Sequence, residues 1–189
     1  MAQLRALGAA AGGLPLVRRA EALARGLAGG GGLLAADVRL GDDAGALHAA
    51  VAAGVTCIEH GQLMNDETAQ LLAKNGIWLS LQPFLDDEDV IPQAPRNNAK
   101  QAEVMRGTDT AYALAKKYHI KTAWGTDVLF DAHLATRQGA MLTKLTRWYT
   151  SAEILKMATA DNAELLALSG KRSPYQGKLG VVQIGALAD

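Results

Sequence analysis

From residue 44 onward the apolar positions follow two alternating periods. The run VTCIEH, residues 55–60, is short, apolar and β-branched, which predicts a buried strand. The small residues 44–53 before it predict a helix stopped at Gly54. IWLSLQ, 77–82, closed by Pro83, and KTAWGTD, 121–127, predict two further strands. Between the first two, Asn65 or Asp66 can cap a helix that runs to Asn75, with Asp66 and Glu67 in its first turn and Gly76 as its stop. Residues 98–118 predict a helix with a break at Gly107, and 137–149 predict another. Thr150 or Ser151 caps the next, with Glu153 supplying part of a capping box, and 161–169 form a last helix before Gly170. LGVVQIG, 179–185, reads as a terminal strand. Strands alternating with helices predict parallel βαβ units, and three strands are too few for a closed barrel, which needs about eight.

Active sites of such folds collect at the carboxyl ends of the strands. Polar groups stand at three of those ends here: Glu59-His60-Gly61, Gln82-Pro83 and Thr126-Asp127. An imidazole nitrogen and a carboxylate are the donor set for Zn²⁺ or a similar divalent ion, and a carboxylate beside a metal-bound water can take its proton. Residue type alone leaves two readings open. His60 is a metal ligand or a core histidine; Asp127 is a ligand and proton acceptor or a helix cap. Gln62, Gln82 and Phe84 follow strand ends, where they either line a substrate pocket or pack the loop. The loop FLDDEDVIPQAPRN, 84–97, is long enough to be functional, and its acidic run Asp86–Asp89 predicts a solvated surface. His48 falls within a helix pattern, and His119 and His133 read as surface residues.

Composition narrows the class. The 189 residues carry no formal net charge, which points away from nucleic acid and from anionic membrane surfaces. The single cysteine, Cys57, excludes an intrachain disulfide, fits a reducing compartment and, lying in an apolar run, reads as a buried, inert thiol. No apolar run approaches the roughly 20 residues of a membrane span, and no signal peptide is recognised, so the expected location is cytoplasmic. The first 36 residues differ from the rest: 31 are Ala, Gly, Leu or Arg, and they include four consecutive glycines, Gly29–Gly32. Three readings fit this bias. The segment is a low-complexity leader, a weak Ala-rich helix over 14–27, or GC-rich coding DNA translated out of frame.

The segments AAVAAGVTCIEHG, DETAQLLAKNGIWLSLQP, IKTAWGTD, TSAEILKMATADNAELLAL and GKLGVVQIGALAD, in this order, resemble the amidohydrolase superfamily. The nearest branch is that of imidazolonepropionase-like and Xaa-Pro dipeptidase-like metal-dependent hydrolases. The resemblance covers residues 44–189 and implies an α/β fold, the C-terminal part of a (β/α)8 barrel. The strands ending near His60, Gln82 and Asp127 would be its sixth, seventh and eighth. It divides the chain into a low-complexity leader (1–42, outside the resemblance), a partial barrel (43–178) and the start of a return to a composite β-sandwich (179–189). It implies His60 and Asp127 as ligands of a divalent metal, with zinc the expected ion, and Asp127 as the catalytic proton shuttle. Gln62, Gln82 and Phe84 are the candidate substrate-binding residues. The implied substrate is a small amide, cyclic amide or dipeptide, and the open barrel edges suggest a homo-oligomer. The family's HxH pair, its bridging lysine and the histidine of its fifth strand have no counterpart in this sequence, so an inactive fragment or a non-enzymatic binding protein stands as the alternative.

Overall fold

The computed structural model describes residues 35–38, 50–52, 54–128 and 131–188. The expected helix over 14–27, His48 and most of the expected helix 44–53 lie outside them.

Four strands, β1 (Ala35–Val38), β2 (Cys57–His60), β3 (Trp78–Leu81) and β4 (Thr122–Trp124), form one sheet in chain order. Every neighbouring pair is parallel, with Val38 opposite His60, Cys57 opposite Trp78 and Leu79 opposite Thr122. This is an arc of parallel staves, with helical crossovers from β2 to β3 and from β3 to β4 as the sequence pattern predicts. β1 is an addition: it comes from within the 1–42 segment.

Helix α1 (Asp66–Asn75) follows β2. The Asn65 side chain accepts from the Thr68 N–H at 2.9 Å, and Gly76 closes the helix in the left-handed conformation. Helix α2 (Asn98–Lys117) follows β3 and the long loop. After β4 come the short helices α3 (Ala132–Ala135) and α4 (Gln138–Thr143), then a tight 3-10 turn, Lys144–Arg147. Helices α5 (Ser151–Lys156) and α6 (Asn162–Ala167) flank a π-helical turn, Met157–Asp161. Thr150 and Glu153 form a complete capping box at the start of α5.

Successive strand residues point to opposite faces. Ile58, Leu79 and Leu81 meet Leu72 of α1, Tyr112 of α2 and Leu145, all fully buried. Cys57, Trp78 and Ala123 turn the other way, onto Leu165 of α6. A parallel sheet needs cover on both faces, and these two clusters supply it here. Cys57 is buried as expected, and desolvation pushes its thiol well above the ordinary range.

Three expectations change. Gly107 does not break α2, which is continuous through it. The helices expected at 151 and 161 are one helical run, because the π turn absorbs the extra residue instead of ending it. The expected terminal strand over 179–185, the start of the sandwich, is not formed. Gly180 and Gly185 are left-handed, Val182 and Ile184 are fully exposed, and the segment pairs with none of the described strands.

Candidate active site at the strand ends

β2 ends on His60, whose backbone is left-handed at φ 73°, and Gly61 continues in the same region at φ 76°. A Cβ on Gly61 would lie 2.8 Å from Leu79 Cδ1, so this turn requires glycine for both space and conformation. Two strands away, the chain leaving β4 places Asp127 at φ 54°. Left-handed backbone is unfavourable for residues bearing a Cβ, and such conformations concentrate at functional sites. The two turns bring His60 Nε2 to 3.8 Å from Asp127 Oδ2. His60 is buried and its ring stacks on Phe84, with centroids 6.1 Å apart and planes inclined by 23°.

Three hydrogen bonds fix this rim. The Gln62 side-chain amide donates to the Gln82 carbonyl at 3.2 Å and to Gln82 Oε1 at 3.4 Å. The Tyr112 hydroxyl donates to the carbonyl of Leu81 at 3.3 Å. Gln62 and Gln82 are both buried.

Asn162, at the start of α6, was not singled out by the sequence and holds the third strand end. It accepts from the Trp124 N–H at 2.9 Å and donates to the Trp124 carbonyl at 3.0 Å, just before Gly125-Thr126-Asp127. Its side chain satisfies β4 as another strand would. The signal was its place in ATADNAELLAL, where an asparagine side chain can bond to backbone groups within a helical stretch.

A cavity of about 460 Å³ opens over these strand ends. His60, Gln62, Phe84 and Asp127 line it. Gln82 does not; it is buried and accepts from the Gln62 side chain that does. His119 and His133 are exposed and away from the lining.

The 84–97 loop forms one wall, and its acidic run is a solvated surface only in part. Asp89 is buried, with its carboxylate bonded to the Arg137 guanidinium and 2.7 Å from Lys144 Nζ. Lys144 also reaches Asp87 at 2.7 Å, and Arg137 reaches Glu88 at 3.0 Å. The hydrogen bond from Arg137 holds the Asp89 carboxyl below the usual carboxylate range against the opposing effect of burial. Burial pulls the Lys144 ammonium down, but Asp87 and Asp89 outweigh it and leave Lys144 raised. Asp86 and Glu88 remain exposed.

The donor set at the rim suits a divalent ion. Bonds of about 2.0–2.2 Å from a histidine nitrogen and a carboxylate oxygen span a separation of this size. Among the described residues no third His, Cys, Asp or Glu joins the pair. Val38 occupies the β1 position opposite His60.

An arc of parallel strands with a histidine and an aspartate converging at its carboxyl end has the architecture of part of a parallel α/β barrel. Among solved structures, a crystal structure of an amidohydrolase is similar at 28% identity with a TM-score of 0.70, over 92% of this chain and 40% of that one. A prolidase complexed with N-methylphosphonate-L-proline is similar at 24% identity and a TM-score of 0.70, over 92% of this chain and 41% of that one. Ochratoxinase from A. niger is similar at 22% and 0.68, over 92% and 38%. The fold is therefore that of the amidohydrolase superfamily, and this chain spans about two fifths of the length of those structures. No protein-family model matches the sequence, and no curated protein matches it significantly. No helix among the described residues is long and apolar enough to cross a membrane.

Proposed function

We propose that this chain carries one half of the active site of a metal-dependent hydrolase that cleaves a C–N bond in an amide, cyclic amide or dipeptide. The observation that carries this reading is the His60–Asp127 pair, 3.8 Å apart at the mouth of a substrate-sized cavity. His60 Nε2 and Asp127 Oδ2 would hold the ion, zinc first among the divalent metals for such donors. When bound, the metal polarises the scissile carbonyl and lowers the pKa of the attacking water.

The chain's own residues do the rest. Asp127 accepts the proton that water loses as its oxygen bonds to the carbonyl carbon. It returns that proton to the nitrogen as the C–N bond breaks, giving a carboxylic acid and an amine. Phe84 stacks on the His60 ring and orients its plane. Gln62, held by Gln82, presents a fixed amide to the cavity. The neighbouring prolidase, bound to a phosphonate of proline, supports a dipeptide as one substrate class to test.

One observation favours a second reading, a catalytically inactive fragment or binding protein: the pair has no third donor among the described residues. Further donors would then have to come from outside those residues or from a second copy joined at the open edges of the sheet. A cytoplasmic setting is the location that the single buried thiol supports.

Elemental analysis of size-fractionated protein, wild type and His60→Ala, tests the proposal. Near-stoichiometric zinc or another divalent metal, lost in the variant and accompanied by amide hydrolysis, is the expected result. A folded, monodisperse sample that takes up no metal when zinc is supplied and hydrolyses nothing would leave the inactive reading.

A further inference from the structure

The cavity has a second chemical character beyond the His60–Asp127 pair. Lys100, Gln101, Val104 and Met105 of α2 line it at helical spacing. The same stripe of α2 continues as Thr108, Ala111, Tyr112 and Ala115, all buried in the core. Val104 and Met105 therefore lie on the core-facing side of α2 yet are only half-buried, because the cavity stands where core side chains would otherwise be. Val90 and Ile91 of the loop, together with Leu134 and Met141 after β4, complete the apolar lining from two other parts of the chain.

The less exposed cation nearby is already paired, and the other lies out in solvent. Lys144 is held between Asp87 and Asp89, and Lys100 is exposed. A charged or strongly polar group placed among Val104, Met105 and Met141 would lose hydration against apolar side chains, whereas an apolar group gains from leaving water.

We infer that this wall is a specificity subsite for an apolar substituent, so that the preferred substrate carries an aliphatic or aromatic side chain beside its scissile bond. Calling the ligand a substrate rests on the hydrolase reading above; the binding preference rests on the cavity alone.

Calorimetric titration of the full chain with N-acetyl-L-leucinamide and N-acetylglycinamide tests it. The leucine amide binds at least about tenfold more tightly, as expected for filling an apolar pocket with a side chain of that size. Val104→Asp removes the preference. Met105→Gln, which keeps length and replaces only the apolar end, reduces it and serves if Val104→Asp does not fold. Equal affinity for the two amides, no saturable binding of the leucine amide, or an unchanged preference in a folded variant overturns the subsite. Metal content and hydrolysis of the wild type, measured beside the titrations, separate the two proposals. A metal-free, inactive wild type that still prefers the leucine amide defeats the hydrolase reading alone. An active, metal-loaded chain that binds both amides equally defeats the subsite alone.

Discussion

The carbonyl of Gln62 lies directly against Gly107: a Cβ built on Gly107 would sit 2.3 Å from that oxygen and 3.0 Å from its carbon. The glycine that looks like a helix breaker in sequence is a point of backbone contact in the fold. It lets α2 press against the turn that follows His60 and so sets where Gln62 enters the cavity.

Gly107→Ala is expected to destabilise the protein by about 1–3 kcal/mol, the usual cost of forcing a methyl group into packed surroundings. The gain in helix propensity, at most about 1 kcal/mol, does not compensate. Gly139→Ala in α4 is the control, since nothing lies within 4 Å of its Cβ; it should be neutral or stabilising by up to about 1 kcal/mol. Urea denaturation of both variants checks this. Equal effects would show that Gly107 is not a contact point.

The Asp89 cluster ties the loop wall to α4 and the turn after it. Asp89→Ala should cost roughly 2–3 kcal/mol, because it leaves Arg137 and Lys144 short of an acceptor. Lys144 keeps Asp87 and Arg137 is partly exposed, so the loss falls below that of a fully buried pair. The pH dependence has a definite sign. The Asp89 carboxyl is held below its unfolded value near ~3.9, so its stabilisation is present above that pH and is lost as pH falls through the lower folded value. Thermal melts between neutral and acidic pH should therefore fall more steeply for wild type than for Asp89→Asn. Parallel curves would remove Asp89 from the account.

Much of this was legible because local and tertiary signals agree. VTCIEH, IWLSLQ and TAWGTD become strands close to where β-branched and apolar runs place them, and Asn65, Gly76 and Thr150 cap as their chemistry predicts. His60, Gln62, Phe84 and Asp127 do reach one cavity. What the pattern hid depends on distant partners. β1 has one β-branched residue, Val38, and is a strand through its pairing with β2. Val181, Val182 and Ile184 have strand propensity but meet no edge. Asp89 is buried where Asp86 and Glu88 are exposed, because it packs against Arg137 and Lys144, 48 and 55 positions later in the chain by residue number.

Asp127 separates conformation from chemistry. Asparagine tolerates left-handed backbone about as well as aspartate, so Asp127→Asn should keep the turn after β4 and the stability of the fold. It removes the anionic proton acceptor, and any amide hydrolysis by the wild type should fall by about 10²–10⁴-fold. Asp127→Val has the opposite emphasis: a β-branched residue strains the same turn and should lower stability as well. Comparing melting temperature with hydrolysis rate for the two variants distinguishes a catalytic carboxylate from a turn residue. If Asp127→Asn retains full activity while Asp127→Val loses it through instability, Asp127 serves the turn alone, and the proton acceptor must be sought elsewhere.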